Sequence, residues 1–157
     1  IDDPLKSAEI LQAHVDQGLK FARKNRLPKP IANFIPEHQG TLKMGYFLNK
    51  AEEKKLKFNE SDFRYKGPIP QSKETAILML ADGCEAALRA MDINASDYEA
   101  LETISKIVDS RQVDGQLNDS NLSKGEIFLI KKSFLNVWKR IRHRRIQYPT
   151  TKNNTFS

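Results

Sequence analysis

The stretch Ser72–Arg89, SKETAILMLADGCEAALR, decides the fold class of this 157-residue chain. Ser72 is a residue type that caps helix N-termini, and the run from Ala76 to Ala81 that follows it is entirely apolar. A helix that is apolar on all sides packs at the centre of a bundle. We therefore predict a central helix from about residue 73 to 91, in which Asp82 ends the apolar run.

Amphipathic patterns on both sides of this stretch predict five further helices. The first covers 4–24, where Asp3 is an N-cap residue and Pro4 is the first helical residue. The others cover about 31–35, 42–57, 98–108 and 124–148. Ser123 and Glu126 form a capping box at the start of the last helix, and Pro149 ends it. No segment alternates as a strand does, so the predicted class is all-α with about six helices.

In the last two predicted helices, the spacing of apolar residues also predicts which side chains face the core. These are Tyr98, Leu101, Ile104 and Val108 in the fifth helix, and Ile127, Ile130, Phe134, Val137, Trp138 and Ile141 in the last.

Composition excludes several classes of protein. Hydrophobic residues are 39% of the chain and charged residues 29%, values typical of a globular domain and not of a disordered chain. The single cysteine, Cys84, excludes an intramolecular disulfide and a multi-thiolate metal site. No apolar run approaches the 18 or so residues that a membrane span needs.

The net charge of +6 comes from the last helix and the residues after it. Residues 131–157 hold eight bases and no acid, which leaves 18 bases and 20 acids before them. A solvated basic face is the common explanation. The alternatives are attraction of an anionic dinucleotide, proximity to an anionic membrane surface and, less favoured because aromatic residues do not interleave with the bases, nucleic-acid binding.

Three residues have side chains suited to metal chemistry. Asp82 follows six apolar residues, so an ionised carboxylate there needs a cation, an edge of the core that reaches solvent, or a metal ion. His14 lies at the border of the apolar face of the first helix and His38 at a helix end. For both histidines, a satisfied core or turn residue is the alternative to a metal ligand.

Several segments, in order along the chain, resemble the motifs of the membrane-anchored seven-transmembrane HD-domain phosphodiesterases. They are His14–Leu19 (HVDQGL), Phe34–Thr41 (FIPEHQGT), Tyr46-Phe47, Asp62–Glu74 (DFRYKGPIPQSKE), Met79–Asp82 (MLAD), Glu85–Ala87 (EAA), Asp114–Leu117 (DGQL) and Arg145–Pro149 (RIQYP).

The resemblance implies an all-α HD-domain bundle that hydrolyses cyclic di-AMP to the linear dinucleotide with two divalent metal ions, iron or manganese. It implies that residues 1–148 are the C-terminal part of this domain, truncated at the N-terminus, and that 149–157 are a flexible tail. In the parent protein we expect a cyclic dinucleotide as partner, an N-terminal transmembrane and sensory region, and a place at the cytoplasmic face of the membrane. No nucleic-acid partner is expected.

By position in these motifs, His14, His38 and Asp82 correspond to metal ligands of the family: the two histidines bind one ion and the aspartate binds the other. The family has a second histidine where this chain has Gln39, whose neutral amide oxygen is a poorer ligand. The chain also contains no His-Asp pair, which supplies the bridging aspartate of the family. We expect this chain alone to be inactive and to bind metal loosely if at all. The alternative function is a degenerate HD domain that binds nucleotide or relays a signal without catalysis.

The long connection from Asn59 to Gln71 contains Gly67, Pro68 and Pro70 and shows no helical or strand period. Its functional interpretation is a wall beside the substrate pocket. Arg64 and Lys73 are then the candidates for phosphate contact. The structural alternative is a connection whose charges are solvated.

Overall fold

The structure, a computed structural model, describes residues 3–147, with side chains described up to residue 144. The helices are α1 (Pro4–Lys24), α2 (Lys29–Ala32), α3 (Phe34–Glu37), α4 (Gly45–Glu53), α5 (Lys73–Arg89), α6 (Asp97–Val113) and α7 (Lys124–Gln147). A 3-10 turn, Glu60–Phe63, lies between α4 and α5. Across 3–147 no strand forms, and an isolated antiparallel bridge joins Lys43 to Arg64. The predicted tail, 149–157, lies outside the described residues.

Side chains at the predicted caps begin the long helices. Asp3 Oδ1 accepts hydrogen bonds from the amides of Leu5 and Lys6 at 3.1 and 3.3 Å. Ser72 Oγ accepts one from the amide of Thr75 at 3.2 Å. Such caps satisfy amides that have no partner within the helix and contribute about 1 kcal/mol each. The predicted boundaries of α1 and α5 are confirmed to within two residues.

Two apolar clusters form the core, and α3 lies between the helices that carry them. The first joins α5, α6 and α7 through seven buried residues: Ala76, Leu80, Cys84, Ile104, Val108, Leu117 and Ile127. The second joins α1 and α4 to the 3-10 turn through Ala8, Met44, Ala51 and Phe63. Because α3 contacts both α1 and α5, the segment that carries His38 is held at the junction of the two halves.

The predicted helix at 42–57 is shorter in the structure, and the one at 31–35 is divided. The amide of Met44 donates to the Phe63 carbonyl at 2.7 Å, so residues before Gly45 pair with the loop instead of extending α4. At its other end Lys55 has φ 53°, and the amide of Leu56 donates back to the Ala51 carbonyl. The short helix is two turns, α2 and α3, separated at Asn33.

α5 contacts α3, α6 and α7, as predicted for a central helix, but it is not buried on all sides. Ala76, Leu80 and Cys84 face α6 and α7, and Thr75 and Met79 face the α3 segment. Ile77 and Leu78, in contrast, are 37% and 36% exposed. Asp82 lies on this exposed side. Its carboxylate is therefore solvated, and the argument that it needs a buried partner does not apply.

Four residues predicted to face the core are exposed, and Leu101, at 37%, is the least exposed of them. Tyr98 is 75% exposed because it lies about 80–160° around the helix from the buried row of α6, Ala100, Ile104 and Val108. Val137 and Ile141 of α7 are 46% and 47% exposed. In α7, packing against α6 covers the row that contains Ile127.

Several cations of α7 bind acids or carbonyls of the domain. Lys131 pairs with Asp109 at 2.8 Å and Lys139 with Asp97 at 3.4 Å. Arg142 donates to a backbone carbonyl of the loop before α6, that of Ala95, and lies over the Trp138 ring. The basic face is thus partly neutralised by α6 and its preceding loop.

Candidate metal and substrate site

A cavity of about 170 Å³ lies between α1, the α3 segment and the loop before α5. Its polar lining is His14 from α1, His38 and Gln39 from the end of α3, and Tyr65 from the loop. Leu11, Val15 and Ile35 complete the wall. Tertiary packing therefore brings together three of the four predicted metal-ligating residues.

The His38 ring has a defined orientation and tautomer. Nδ1 lies 2.6 Å from the carbonyl oxygen of Phe34, one helical turn earlier. Since a carbonyl only accepts, Nδ1 carries the proton and donates it. The lone pair of Nε2 is left for a metal ion, in the arrangement that ligating histidines commonly show.

His14 lies on the exposed side of α1, not in the core. The interpretation of His14 as a satisfied core histidine is therefore wrong. Its ring reaches the same cavity as His38 because α1 packs directly against α3. Two imidazole nitrogens and the amide oxygen of Gln39 are donor atoms suited to one divalent transition-metal ion.

Asp82 does not line this cavity. It lies three residues, or nearly one helical turn, after Met79, whose Cε lies 2.7 Å from where a Cβ on Gly40 would be. The carboxylate is thus on the helix that packs behind the His38–Gly40 segment, but outside its cavity. The implied assignment of Asp82 to a second ion remains a prediction.

Glu37 is a buried residue of the site region to which sequence analysis assigned no role. It is 4% exposed, and its Oε1 accepts hydrogen bonds from the Gln71 amide at 2.7 Å and the Thr75 hydroxyl at 3.0 Å. It therefore ties the residue before His38 to the start of α5. Its role could have been predicted from the sequence, because an ionised carboxylate in the otherwise apolar segment Phe34–Glu37 needs hydrogen-bond donors if it is buried.

Both residues predicted to contact phosphate are engaged within the protein. All five guanidinium N–H groups of Arg64 have acceptors: Glu60 twice, Asp114 twice and the Thr41 carbonyl once. These bonds raise the pKa of Arg64 and hold the pKa of Asp114 below its usual value, chiefly through the hydrogen bond between them. Lys73 pairs with Glu126 at 2.9 Å and stays partly exposed. Phosphate contact by either residue remains a prediction.

Cys84 of α5 is buried, and the half-buried Arg111 of α6 lies near it. Burial raises the pKa of the Cys84 thiol to about 11 and lowers that of the Arg111 guanidinium. A thiol with this pKa is almost fully protonated at neutral pH and is a poor nucleophile and metal ligand. Cys84 is therefore part of the core.

No protein-family model matches the chain. Curated relatives, in contrast, match almost all of it. Uncharacterized protein slr0104 of Synechocystis sp. is 44% identical over 154 residues, which are 95% of this chain and 19% of that protein. The cyclic-di-AMP phosphodiesterase PgpH of Listeria monocytogenes is 35% identical over 150 residues, 96% of this chain and 21% of PgpH. The chain thus spans about a fifth of the length of these relatives.

Solved structures agree with the sequence relatives. The crystal structure of the L. monocytogenes PgpH HD domain matches with a TM-score of 0.82 and 33% identity, covering 90% of this chain and 65% of that one. The same domain in complex with cyclic-di-AMP also matches with a TM-score of 0.82. The fold of this chain is therefore that of an all-α HD domain.

More particularly, the chain is homologous to the PgpH cyclic-di-AMP phosphodiesterases. The predicted resemblance and the predicted all-α HD fold are confirmed. None of the helices of 3–147 is long and apolar enough to cross a membrane.

The homology implies divalent metals in general, and the donor set of this chain fits them only in part. Among residues 3–147, no group of three or more His, Cys, Asp and Glu is placed to hold an ion. His14, His38 and the Gln39 amide oxygen would be an incomplete ligand set for one ion. Asp82, the predicted ligand of a second ion, does not line their cavity. The metal-ligand roles of all four residues remain predictions.

Proposed function

We propose that the protein containing this chain hydrolyses cyclic di-AMP to the linear dinucleotide, and that the chain supplies part of its metal site. One observation carries the proposal. Residues His14, His38 and Gln39 line a single cavity in a domain 33% identical to the PgpH HD domain, which has been solved in complex with cyclic-di-AMP.

Each residue has a defined part in this proposal. His38 offers Nε2 because Phe34 holds its Nδ1 proton, and His14 approaches the same cavity from α1. Asp82 offers a carboxylate toward a second ion. Divalent ions, iron or manganese, would supply positive charge for the phosphoryl oxygens and acidify water for attack on phosphorus.

We also propose that the chain alone does not turn over cyclic di-AMP. Support comes from the incomplete ligand set and from the absence of a His-Asp pair in the sequence. The solved HD domain is larger, because this chain covers 65% of it. The missing ligands would come from parts of the protein outside these 157 residues.

The test compares hydrolysis by the full-length protein and by this chain, with Mn²⁺ present, following the linear dinucleotide by chromatography. We expect turnover only by the full-length protein, and a loss of at least about 100-fold in H38A and D82A. H143A is the matched control, because His143 lies on α7 and does not line the cavity. Full activity in D82A, or equal loss in H143A, would contradict the assignment.

Gln39 favours a second candidate function, nucleotide binding or signal relay without hydrolysis. Its amide oxygen stands where the family has a histidine, and a neutral amide binds divalent ions more weakly. Full-length protein that retains cyclic di-AMP binding but shows no turnover supports this reading. Gain of turnover in Q39H, with binding unchanged, identifies the amide as the cause.

The setting of the domain is proposed on the same resemblance. We propose that the parent carries transmembrane and sensory regions and places this domain at the cytoplasmic face of the membrane. Relatives about five times longer than the chain leave room for such regions. Fractionation of cells expressing the full-length protein, with protease accessibility from each side, tests this placement.

A further inference from the structure

Thr41 follows the ligand segment His38–Gly40 and has every backbone and side-chain polar group bound. Its amide donates to Gln116 Oε1 at 3.1 Å, and its hydroxyl accepts from Gln116 Nε2 at 2.9 Å. Its carbonyl accepts from Arg64 Nη1 at 2.7 Å. Two side chains distant in sequence therefore hold one residue of the turn.

Gln116 is fully buried, and its amide oxygen and both amide hydrogens are hydrogen-bonded. Exposure of the residue is 0%. Nε2 donates its second hydrogen to Asp114 Oδ2 at 3.0 Å, and Arg64 holds Asp114 through two further bonds of 2.9 and 3.0 Å. A buried amide with every group satisfied adopts a single orientation.

The hydrogen bonds of Gln116 reach Thr41, which belongs to the same turn as Gln39. The amide of Leu42 donates to the Gln39 carbonyl at 3.1 Å, which closes a β-turn with Gly40 at its second position. Gly40 has φ +52°, and a Cβ there would lie 2.6 Å from Gln116 Oε1. Movement of Gln116 therefore changes the turn in which Gln39 is the first residue and His38 immediately precedes it.

We propose that Gln116 is a positioning residue for the His38–Gln39 ligand segment and acts through Thr41. The inference rests on the proposed function for the metal role of that segment. Glu37 holds the segment from its other end through Gln71 and Thr75. Residues 38–40 thus lie between two buried anchoring side chains, Glu37 on one side and Gln116, from the turn after α6, on the other.

The test uses Q116M, which keeps the side-chain length and removes all three hydrogen bonds. S120A is the matched control: Ser120 is also buried, 1% exposed, but its hydroxyl bonds Leu117 and Leu122, outside the turn. We expect amide exchange of Leu42 to rise at least about tenfold in Q116M relative to S120A, in samples without metal. T41V, which removes one of the three bonds, serves if Q116M does not fold.

The second measurement is Mn²⁺ alone, titrated while the ring proton signals of the three histidines are followed by NMR. We expect selective broadening of His14 and His38 with His143 unaffected, and about tenfold more Mn²⁺ required in Q116M but not in S120A. Equal Mn²⁺ requirement in wild type and Q116M, or unchanged Leu42 exchange, overturns this inference alone. Absence of selective broadening in wild type overturns the proposed ligand set as well.

Discussion

Gly40, the second residue of the Gln39–Leu42 turn, lies too close to two side chains to accept a larger residue without strain. We consider Gly40→Ala, which adds a single methyl group. The added Cβ would lie 2.6 Å from Gln116 Oε1 and 2.7 Å from Met79 Cε, distances that Cβ atoms essentially never show. The backbone φ of +52° is also one that alanine adopts with strain.

Two contributions set the expected loss of stability. A left-handed conformation costs a non-glycine residue about 1 kcal/mol. Forcing a methyl group into a filled core costs about 1–3 kcal/mol more, because Gln116 is held by three hydrogen bonds and cannot withdraw freely. We therefore expect G40A to lower the free energy of unfolding by about 2–4 kcal/mol, a large share of the total for one domain.

Urea unfolding followed by circular dichroism measures this difference. Gly45→Ala is the matched control, because a Cβ on Gly45 meets nothing within 4 Å. We expect G45A to leave the stability unchanged or to raise it by up to about 1 kcal/mol. Equal unfolding free energies for G40A and G45A would refute the reasoning, since both substitutions add the same methyl group.

Three further predictions concern other parts of the domain. Asp114 has a lowered pKa through Arg64, so its stabilisation is present above the unfolded pKa of about 3.9 and is lost as pH falls through the lower folded value. Urea unfolding should therefore find D114N less stable by about 1–3 kcal/mol at pH 7, with the difference shrinking as the pH falls below the unfolded pKa. Cys84 should react with a thiol reagent at pH 8 only after unfolding, because its pKa is about 11; rapid labelling of the native chain would contradict its burial. K55G should raise the free energy of unfolding by up to about 1 kcal/mol, because Lys55 has φ 53° at the end of α4. A lower free energy of unfolding in K55G would show that the Lys55 side chain stabilises the fold.

The helices that begin at strong local signals were predicted well. Asp3-Pro4 and Ser72 start α1 and α5 where expected, because a cap requires only residues adjacent in sequence. The segment 42–57 was predicted less well. Met44 bonds to Phe63 instead of continuing the helix, and this partner is 19 positions away.

Burial was the weaker part of the prediction. The run Ile77-Leu78 is as apolar as its neighbours, yet about a third of each side chain is exposed. Tyr98 is apolar enough for a core but lies on the wrong side of α6. A helical period reports which residues share a face, but the partner helices decide how much of that face is covered.

The sequence by itself determined the all-α class, the main helix starts and, through ordered motifs, the homology that the comparisons confirm. Only the tertiary structure decided which side chains meet. It places His14 beside His38, leaves Asp82 outside their cavity and commits Arg64 to Asp114 and Thr41. The physical reason is range: caps and periods act within a few residues, whereas the Gln116–Thr41 and Arg64–Asp114 contacts join residues 75 and 50 positions apart.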